Sequence, residues 1–324
     1  MDQLETILAL MKLPGVGPAR LRRALWAISK AKLPIADAFS ESGRRLLANI
    51  GVGSTSPSVG VAAVAERLRQ DDVHVIVAPF QELELSEFSR TNLPPVIFAK
   101  GALRLLGKPS VGFCGSRAAT DRGLAVADDI AEQVTQNGIN VVSGGAKGVD
   151  MTAHRTSLAQ RGTTTVVLAE GVLEHRMRAE LREVFDPART LLVSEFFPDD
   201  RWMTGRAMQR NRTICALSRA LVLIEARSTG GTFAAGQAAL EMGLPLFTAD
   251  YSAKHEGNDG NRILLDRGAH RLRQSRSTGR ANTRDLLAVV QNSPPEVRSA
   301  KDPEERSADG QQDLWNGTEA AGRT

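Results

Sequence analysis

The chain has 324 residues, 42% hydrophobic and 24% charged, enough to bury a full core and to hold one large domain with a smaller one. No uninterrupted apolar run approaches the roughly 18 residues that span a bilayer, and the start, MDQLETILALMKLPG, is acidic where a signal peptide is basic, so the expected compartment is the cytoplasm, with no membrane partner. Cys114 and Cys215 stand far apart and outside any CxxC or Cys/His cluster, which supports neither a disulfide framework nor a metal site and places both in the core.

The net charge is +4, but residues 295–324 carry seven acidic side chains against four basic ones, so the excess belongs to the preceding body. A basic body favours a polyanionic partner, although mild basicity also serves solubility.

In chain order, residues 1–72 read as a small all-helical module: LETILALMKL, ARLRRALWAISK, RRLLANIG and VGVAAVAERLRQ space their apolar residues near 3.6. From Val73 the pattern changes to short apolar runs, VHVIVAP and PPVIFAKG, and then alternates strand with helix. The strands are PSVGFCGS, INVVSGG, TTTVVLAEG, TLLVSEF, ALVLIEA and LPLFTAD, and the helices include RGLAVADDIAEQVTQNG, KGVDMTAHRTSLAQRG and GTFAAGQAALEMG. Continuous Val/Ile/Leu strands separated by helices indicate an α/β fold, a doubly wound and mostly parallel sheet covered on both faces, over residues 73–291. Gly138, Gly162 and Gly243 follow helices where a left-handed cap is expected. The remainder, 292–324, is rich in Pro, Ser, Gly and charge and reads as a disordered acidic tail.

In doubly wound sheets ligands bind beyond the carboxyl ends of the strands. The loops there are CGSRAATDRG, SGGAKGVD, AEGVLEHR, SEFFPDDRW and EARSTGGT. The first is not GxGxxG, so a tightly held nicotinamide or flavin is not expected, and no cofactor is assigned. Arg117 and Lys147 should project over this edge together with Arg210 and Arg212 of QRNRTICALS, a stretch that reads as capping the sheet edge before a buried segment. Each cation could instead pair with a loop carboxylate such as Asp150, Glu195 or Glu225. Four cations on one edge read best as a multi-phosphate pocket, since arginine presents a planar donor fork to phosphate. Four such contacts would give a log-log salt slope near about −3 on single strands. Asn211 is assigned to shaping a turn. Asp150 and His154, four residues apart on a helix, suit a structural hydrogen bond better than catalysis.

The motifs VGFCGSR, VVSGGAKGVDMTAH, VLAEG, LLVSEF, QRNRTICALSRALVLIEA and DGNRILLDRGA, in this order, resemble the DprA/Smf family of DNA-processing proteins from about Leu85 to Ala269. The resemblance implies an extended Rossmann-like domain that is not an enzyme. It implies that this domain binds single-stranded DNA in a basic pocket, forms a homodimer and helps load the RecA recombinase during natural transformation. It puts DNA-phosphate contacts at Ser116, Arg117, Lys147, Arg210 and Arg212, with Gly144, Gly145 and Gly148 letting the backbone approach the strand. The family's SGS loop appears here as Ser228-Thr229-Gly230-Gly231-Thr232, its AVPG ending as FTADY, and the winged-helix domain of many members has no counterpart. Gly230, Gly231 and Thr232 join the phosphate-binding set. Aromatic residues make up 4% of the chain, and Phe196, Phe197 and Trp202 are the candidates for stacking on bases.

Two peripheral motifs add partners. LPGVGPARLRRAL resembles the hairpin of a helix-hairpin-helix module, in which Gly15 and Gly17 turn the chain and Arg20 follows on the next helix. An ordinary Gly-Pro turn explains it equally well. In the tail, Gln311-Gln312-Asp313-Leu314-Trp315 is similar to the peptide that docks bacterial replication proteins into the sliding clamp. Two other functions stay open. STGGTFAAGQAALE is similar to the phosphate loop of the Lonely Guy nucleoside monophosphate phosphoribohydrolases, with Glu241 as a displaced glutamate, and the same pocket could sense a nucleotide-derived signal.

Overall fold

The structure, a computed structural model, describes residues 1–53, 60–80, 83–251, 259–275 and 277–292. The expected tail and its QQDLW peptide lie outside them. Nine strands, β1 (His74–Val77), β2 (Val96–Gly101), β3 (Ser110–Gly115), β4 (Asn140–Ser143), β5 (Thr164–Val167), β6 (Thr190–Ser194), β7 (Ala220–Ile224), β8 (Leu246–Ala249) and β9 (His270–Leu272), form one sheet among the described residues. Their order is β1-β2-β6-β5-β4-β3-β7-β8-β9. The seven from β6 to β9 pair in parallel, and β1 and β2 join antiparallel at one end.

Helices α1 (Gln3–Lys12), α2 (Pro18–Lys30), α3 (Glu41–Asn49) and α4 (Val61–Gln70) precede the sheet. They are followed by α5 (Glu87–Asn92), α6 (Asp121–Gln136), α7 (Val149–Ala159), α8 (Ala179–Arg182), α9 (Thr204–Ala216), α10 (Gly231–Glu241), α11 (Asp259–Asp266) and α12 (Arg284–Asn292). The alternation of side chains along the parallel strands explains why they read as unbroken apolar runs: both faces are covered. Leu221 and Leu223 of β7 pack with Ile214 of α9 and Ala235 of α10, while Val222 and Ile224 pack with Ile130 of α6 and Val290 of α12. Cys114 and Cys215 are both buried, as expected. One apolar cluster crosses the expected boundary at residue 72, joining Ile7, Leu25, Leu47 and Leu68 to Phe98 and Val166.

Two local expectations need correction. Gly138 and Gly243 do take left-handed backbone, φ 70° and 73°, but after α7 the left-handed residue is Arg161, φ 57°. Gly162 is small for packing, since a Cβ there would come 2.3 Å from Thr135 Cγ2. The QRNR stretch does not cap the sheet edge either: it lies inside α9, well after that helix begins at Thr204.

The chain runs outward from β3 through β4, β5 and β6, then crosses back over α9 to place β7 on the other flank of β3. The crevice at the carboxyl ends of β3 and β7 is therefore the topological switch point, the position where this kind of sheet holds ligands.

Candidate nucleic-acid interface

The loops after β3 and β4 meet at one backbone contact. Gly148, at φ 80°, starts α7 so close to the neighbouring loop that a Cβ would come 2.4 Å from the Ser116 carbonyl oxygen and 3.0 Å from that of Arg117. Only glycine tolerates both that angle and that approach. The contact brings Arg117 and Lys147 to the same edge, both exposed, and among the described residues no carboxylate pairs with either. Ser116 shapes its own turn, its Oγ accepting from the Ala118 N–H at 3.1 Å. The Arg117 guanidinium faces the ring of Trp202, 5.9 Å from its centroid, and Trp202 is half exposed.

Arg210 and Arg212 do not stand open beside Arg117 and Lys147. Two residues apart on a helix they point about 200° from each other, and their environments differ accordingly. Arg212 donates across to Glu241 at the end of α10, 3.3 Å away. Between them Asn211 shapes no turn; its Nδ2 donates to the Gly231 carbonyl at 3.1 Å, tying α9 to the start of α10.

Arg210 is 5% exposed and its guanidinium fills the notch left by Gly144, where a Cβ would stand 1.0 Å from Nη1. Its Nη1 lies 3.9 Å from Asp150, and among the described residues neither Nε nor Nη1 has a hydrogen-bond acceptor. Burial pushes the Asp150 carboxyl up, opposed by Arg210 and by N–H groups of the β4–α7 loop, among them that of Ala146 at 3.3 Å. His154 pairs through Nδ1 with the Thr164 hydroxyl of β5 at 2.6 Å. Burial, and then the nearby Arg210 charge, lower its pKa to about 3, so the ring is neutral. The Asp150–His154 spacing thus serves structure: one side chain holds the loop and the other holds the helix to the sheet. Of the three carboxylates considered as partners for the cations, Asp150 comes within ion-pair distance of Arg210, and Glu195 feels the same charge from farther off. Glu195, raised by burial, accepts from Gln209 and Thr213 of α9 at 2.8 and 2.7 Å.

Glu225 does something not foreseen. Held at φ 50° just after β7, it accepts from both the backbone N–H and the hydroxyl of Thr120, the N-cap of α6. Its carboxylate lies so near Gly123 that a Cβ there would come 2.6 Å from it. The positive end of α6 is therefore already occupied by the protein's own carboxylate. By contrast α7 and α10 start at Gly148 and Gly230 with no side-chain cap. Gly230, Gly231 and Thr232 leave the N-terminus of α10 at the edge beside β7, partly or fully exposed. Glu241 lies ten residues on, about 15 Å along the helix, too far to serve chemistry at that loop.

Of the aromatic candidates, Phe196 and Phe197 are buried, 6% and 8% exposed, and only Trp202 is open. The sequence reading missed Arg178, exposed after β5, which donates from Nε to the Gly145 carbonyl at 3.1 Å and so braces the glycine loop. At the other motif, Gly15 turns the α1–α2 hairpin at φ 71°, Gly17 is the uncapped start of α2, and Arg20 folds back on the Gly15 carbonyl at 2.9 Å. Among the described residues no His/Cys/Asp/Glu cluster could hold a metal, and no helix is long and apolar enough to cross a membrane.

These features define a doubly wound, Rossmann-like α/β protein with a cationic, glycine-lined edge at its switch point. The chain belongs to the DNA recombination-mediator protein A family, whose model matches residues 81–280. It is 28% identical over 204 residues to Protein Smf of Escherichia coli (strain K12), covering 62% of this chain and 54% of that one. It is 30% identical over 179 residues to DNA processing protein DprA of Streptococcus pneumoniae, covering 55% of this chain and 63% of that one. The chain thus spans little more than half the length of these relatives, the second of which is named for DNA processing.

Among solved structures, DNA processing protein A of S. pneumoniae superimposes with a TM-score of 0.66 at 22% identity, over 84% of this chain and 95% of that one, a likeness of fold. DNA processing protein A of Helicobacter pylori, solved for its single-stranded DNA binding mode, gives 0.51 at 25% identity over 61% of this chain and 90% of that one.

Proposed function

We propose that this protein binds single-stranded DNA by its phosphate backbone along the carboxyl edge of the sheet, without catalysis. The observation that carries the reading is the pair Arg117 and Lys147, two exposed cations with no carboxylate partner among the described residues, brought together by the Gly148 contact. Ser116, Gly144, Gly145 and Gly148 form the backbone floor beside them, and the uncapped start of α10 at Gly230, Gly231 and Thr232 offers N–H groups to a further phosphate. Trp202 supplies an apolar ring for a base, and the low aromatic content of the edge leaves most of the affinity to phosphates, with little sequence preference.

Arg210 and Arg212 enter this reading differently from direct contacts. Arg210 holds the floor from beneath, and Arg212 reaches a strand only by leaving Glu241. The single-stranded DNA described for the H. pylori relative supports the same ligand here. Roles as a homodimer, as a loader of RecA, and as a clamp ligand through Gln311, Asp313, Leu314 and Trp315 belong to the same proposal and rest on family likeness and sequence alone.

The test is fluorescence anisotropy with a labelled single strand, run beside nucleoside monophosphates in a thermal-shift assay, since whichever ligand binds the folded state raises its stability. Arg117→Ala with Lys147→Ala should weaken strand binding on all sequences. Unchanged strand binding in that double variant, or stabilisation by a mononucleotide and not by DNA, overturns the reading.

A further inference from the structure

Between Thr6 and Ala36 the chain has six basic residues, Lys12, Arg20, Arg22, Arg23, Lys30 and Lys32, and no acidic one. Helix α2 sorts them. Its buried stripe is Leu21, Ala24, Leu25 and Ile28. At 100° per residue, Arg20, Arg23, Trp26 and Lys30 fall within an arc of about 120° on the opposite side. All four are exposed, Trp26 by 52%, and among the described residues no carboxylate pairs with Arg20, Arg23 or Lys30. An indole interleaved with cations that no carboxylate neutralises matches the alternation of phosphate and base along a single strand.

The hairpin that leads into this helix also reaches toward the edge already described. Lys12, at the end of α1, sits over the ring of Phe197, 3.9 Å from its centroid. Phe197 begins the short segment that carries Trp202 to Arg117. The hairpin leading into α2 thus starts beside the loop that flanks the sheet-edge site. The charge is complementary to a polyanion, and the spacing from Arg20 to Lys30, about 15 Å, suits more than one nucleotide.

We infer that the Arg20–Arg23–Trp26–Lys30 face of α2 is a second contact for single-stranded nucleic acid, engaged when a strand is long enough to pass from the sheet edge over the Phe197–Trp202 segment. This rests on the proposed sheet-edge site, and strand length separates the two. In the full chain, Trp26→Ala and Arg23→Ala should leave affinity for a strand that fills only the sheet edge unchanged. On a strand several times longer, Trp26→Ala should lower affinity roughly tenfold. Each cation removed should flatten the log-log salt slope on the long strand by about 0.7. Trp26→Phe should retain most of the affinity, and a photoreactive long strand should label peptide 18–30 where the short one does not.

Equal effects on both lengths, or none on the long strand, overturn the inference while leaving the sheet edge standing. A change in oligomeric mass with unchanged strand affinity would assign the face to a second copy instead. If the parent binds neither length, both readings fall.

Discussion

The guanidinium of Arg210 lies where the side chain of residue 144 would be: a Cβ on Gly144 would stand 1.0 Å from Nη1. Arginine and glycine act as one part, contributed by α9 and by the β4–α7 loop. A methyl at residue 144 must evict the guanidinium from a site where it is 5% exposed. Removing the guanidinium leaves Asp150 without its cation, a change that costs about 3 kcal/mol or more when a buried pair is broken from one side. Gly144→Ala and Arg210→Ala should each destabilise strongly, and the double variant scarcely more than either. Urea denaturation of the three variants measures the coupling. Additive losses would show that the two residues act separately.

Strand binding should report two cations, not four. Since Arg210 is buried and Arg212 is engaged with Glu241, replacing Arg117 and Lys147 together should flatten the log-log salt slope by about 1.4. Arg212→Ala should change it little. Anisotropy titrations across a salt series check both statements, and a slope drop for Arg212→Ala matching that of Lys147→Ala would mean that Arg212 leaves its carboxylate to meet the strand.

Acid should destabilise the protein through His154. Its pKa in the folded state, about 3, lies below the ordinary value of 6.5, so between those values the unfolded chain binds the extra proton and stability falls as pH falls. The slope from this one group is at most about 1.4 kcal/mol per pH unit. Asp150 and Glu195, both raised by burial, act in the opposite sense above their ordinary carboxylate range. The His154 effect spans about pH 3 to 6.5 and is separated from theirs by substitution. His154→Gln should flatten the dependence there, as read by denaturant midpoints at several pH values.

The C-terminal segment is fastened to α6 by charge. Arg280 pairs with Asp129 and Glu132, the Ala281 N–H donates to Asp129, and Thr283 donates to Gln133. Asp129→Asn should loosen this fastening, and amide exchange should rise in α12 before it rises in β3 or β7. Uniform exchange would show that α12 opens only with the whole sheet.

The sheet was legible because parallel strands covered on both faces leave unbroken apolar runs, and the helices between them keep their period. Helix α9 was not. Its sequence, TGRAMQRNRTICA, places an arginine where a core residue would be read, so QRNR reads as a cap on the sheet edge and not as the middle of a helix. Burying Arg210 depends on a notch at Gly144 and a carboxylate at Asp150, both some sixty residues earlier, and no local pattern shows them. Glu225 was named as a possible partner for the cations, but the φ of 50° that turns it toward Thr120 cannot be read from EARSTGG. By contrast the placement of Arg117 and Lys147 at the carboxyl edge is readable from sequence, because each follows a strand and a glycine turn.

Helix α12 ends with Gln291 beside Asn137, 3.5 Å away, and with the Val290 carbonyl accepting from Arg219 just before β7. Both neighbours stand at the amino ends of the strands, while Arg117, Lys147 and Gly230 stand at the carboxyl ends. Helix α12 therefore ends at Asn292 on the side of the sheet opposite the cationic edge. A partner seated against the end of α12 would therefore leave the cationic edge uncovered.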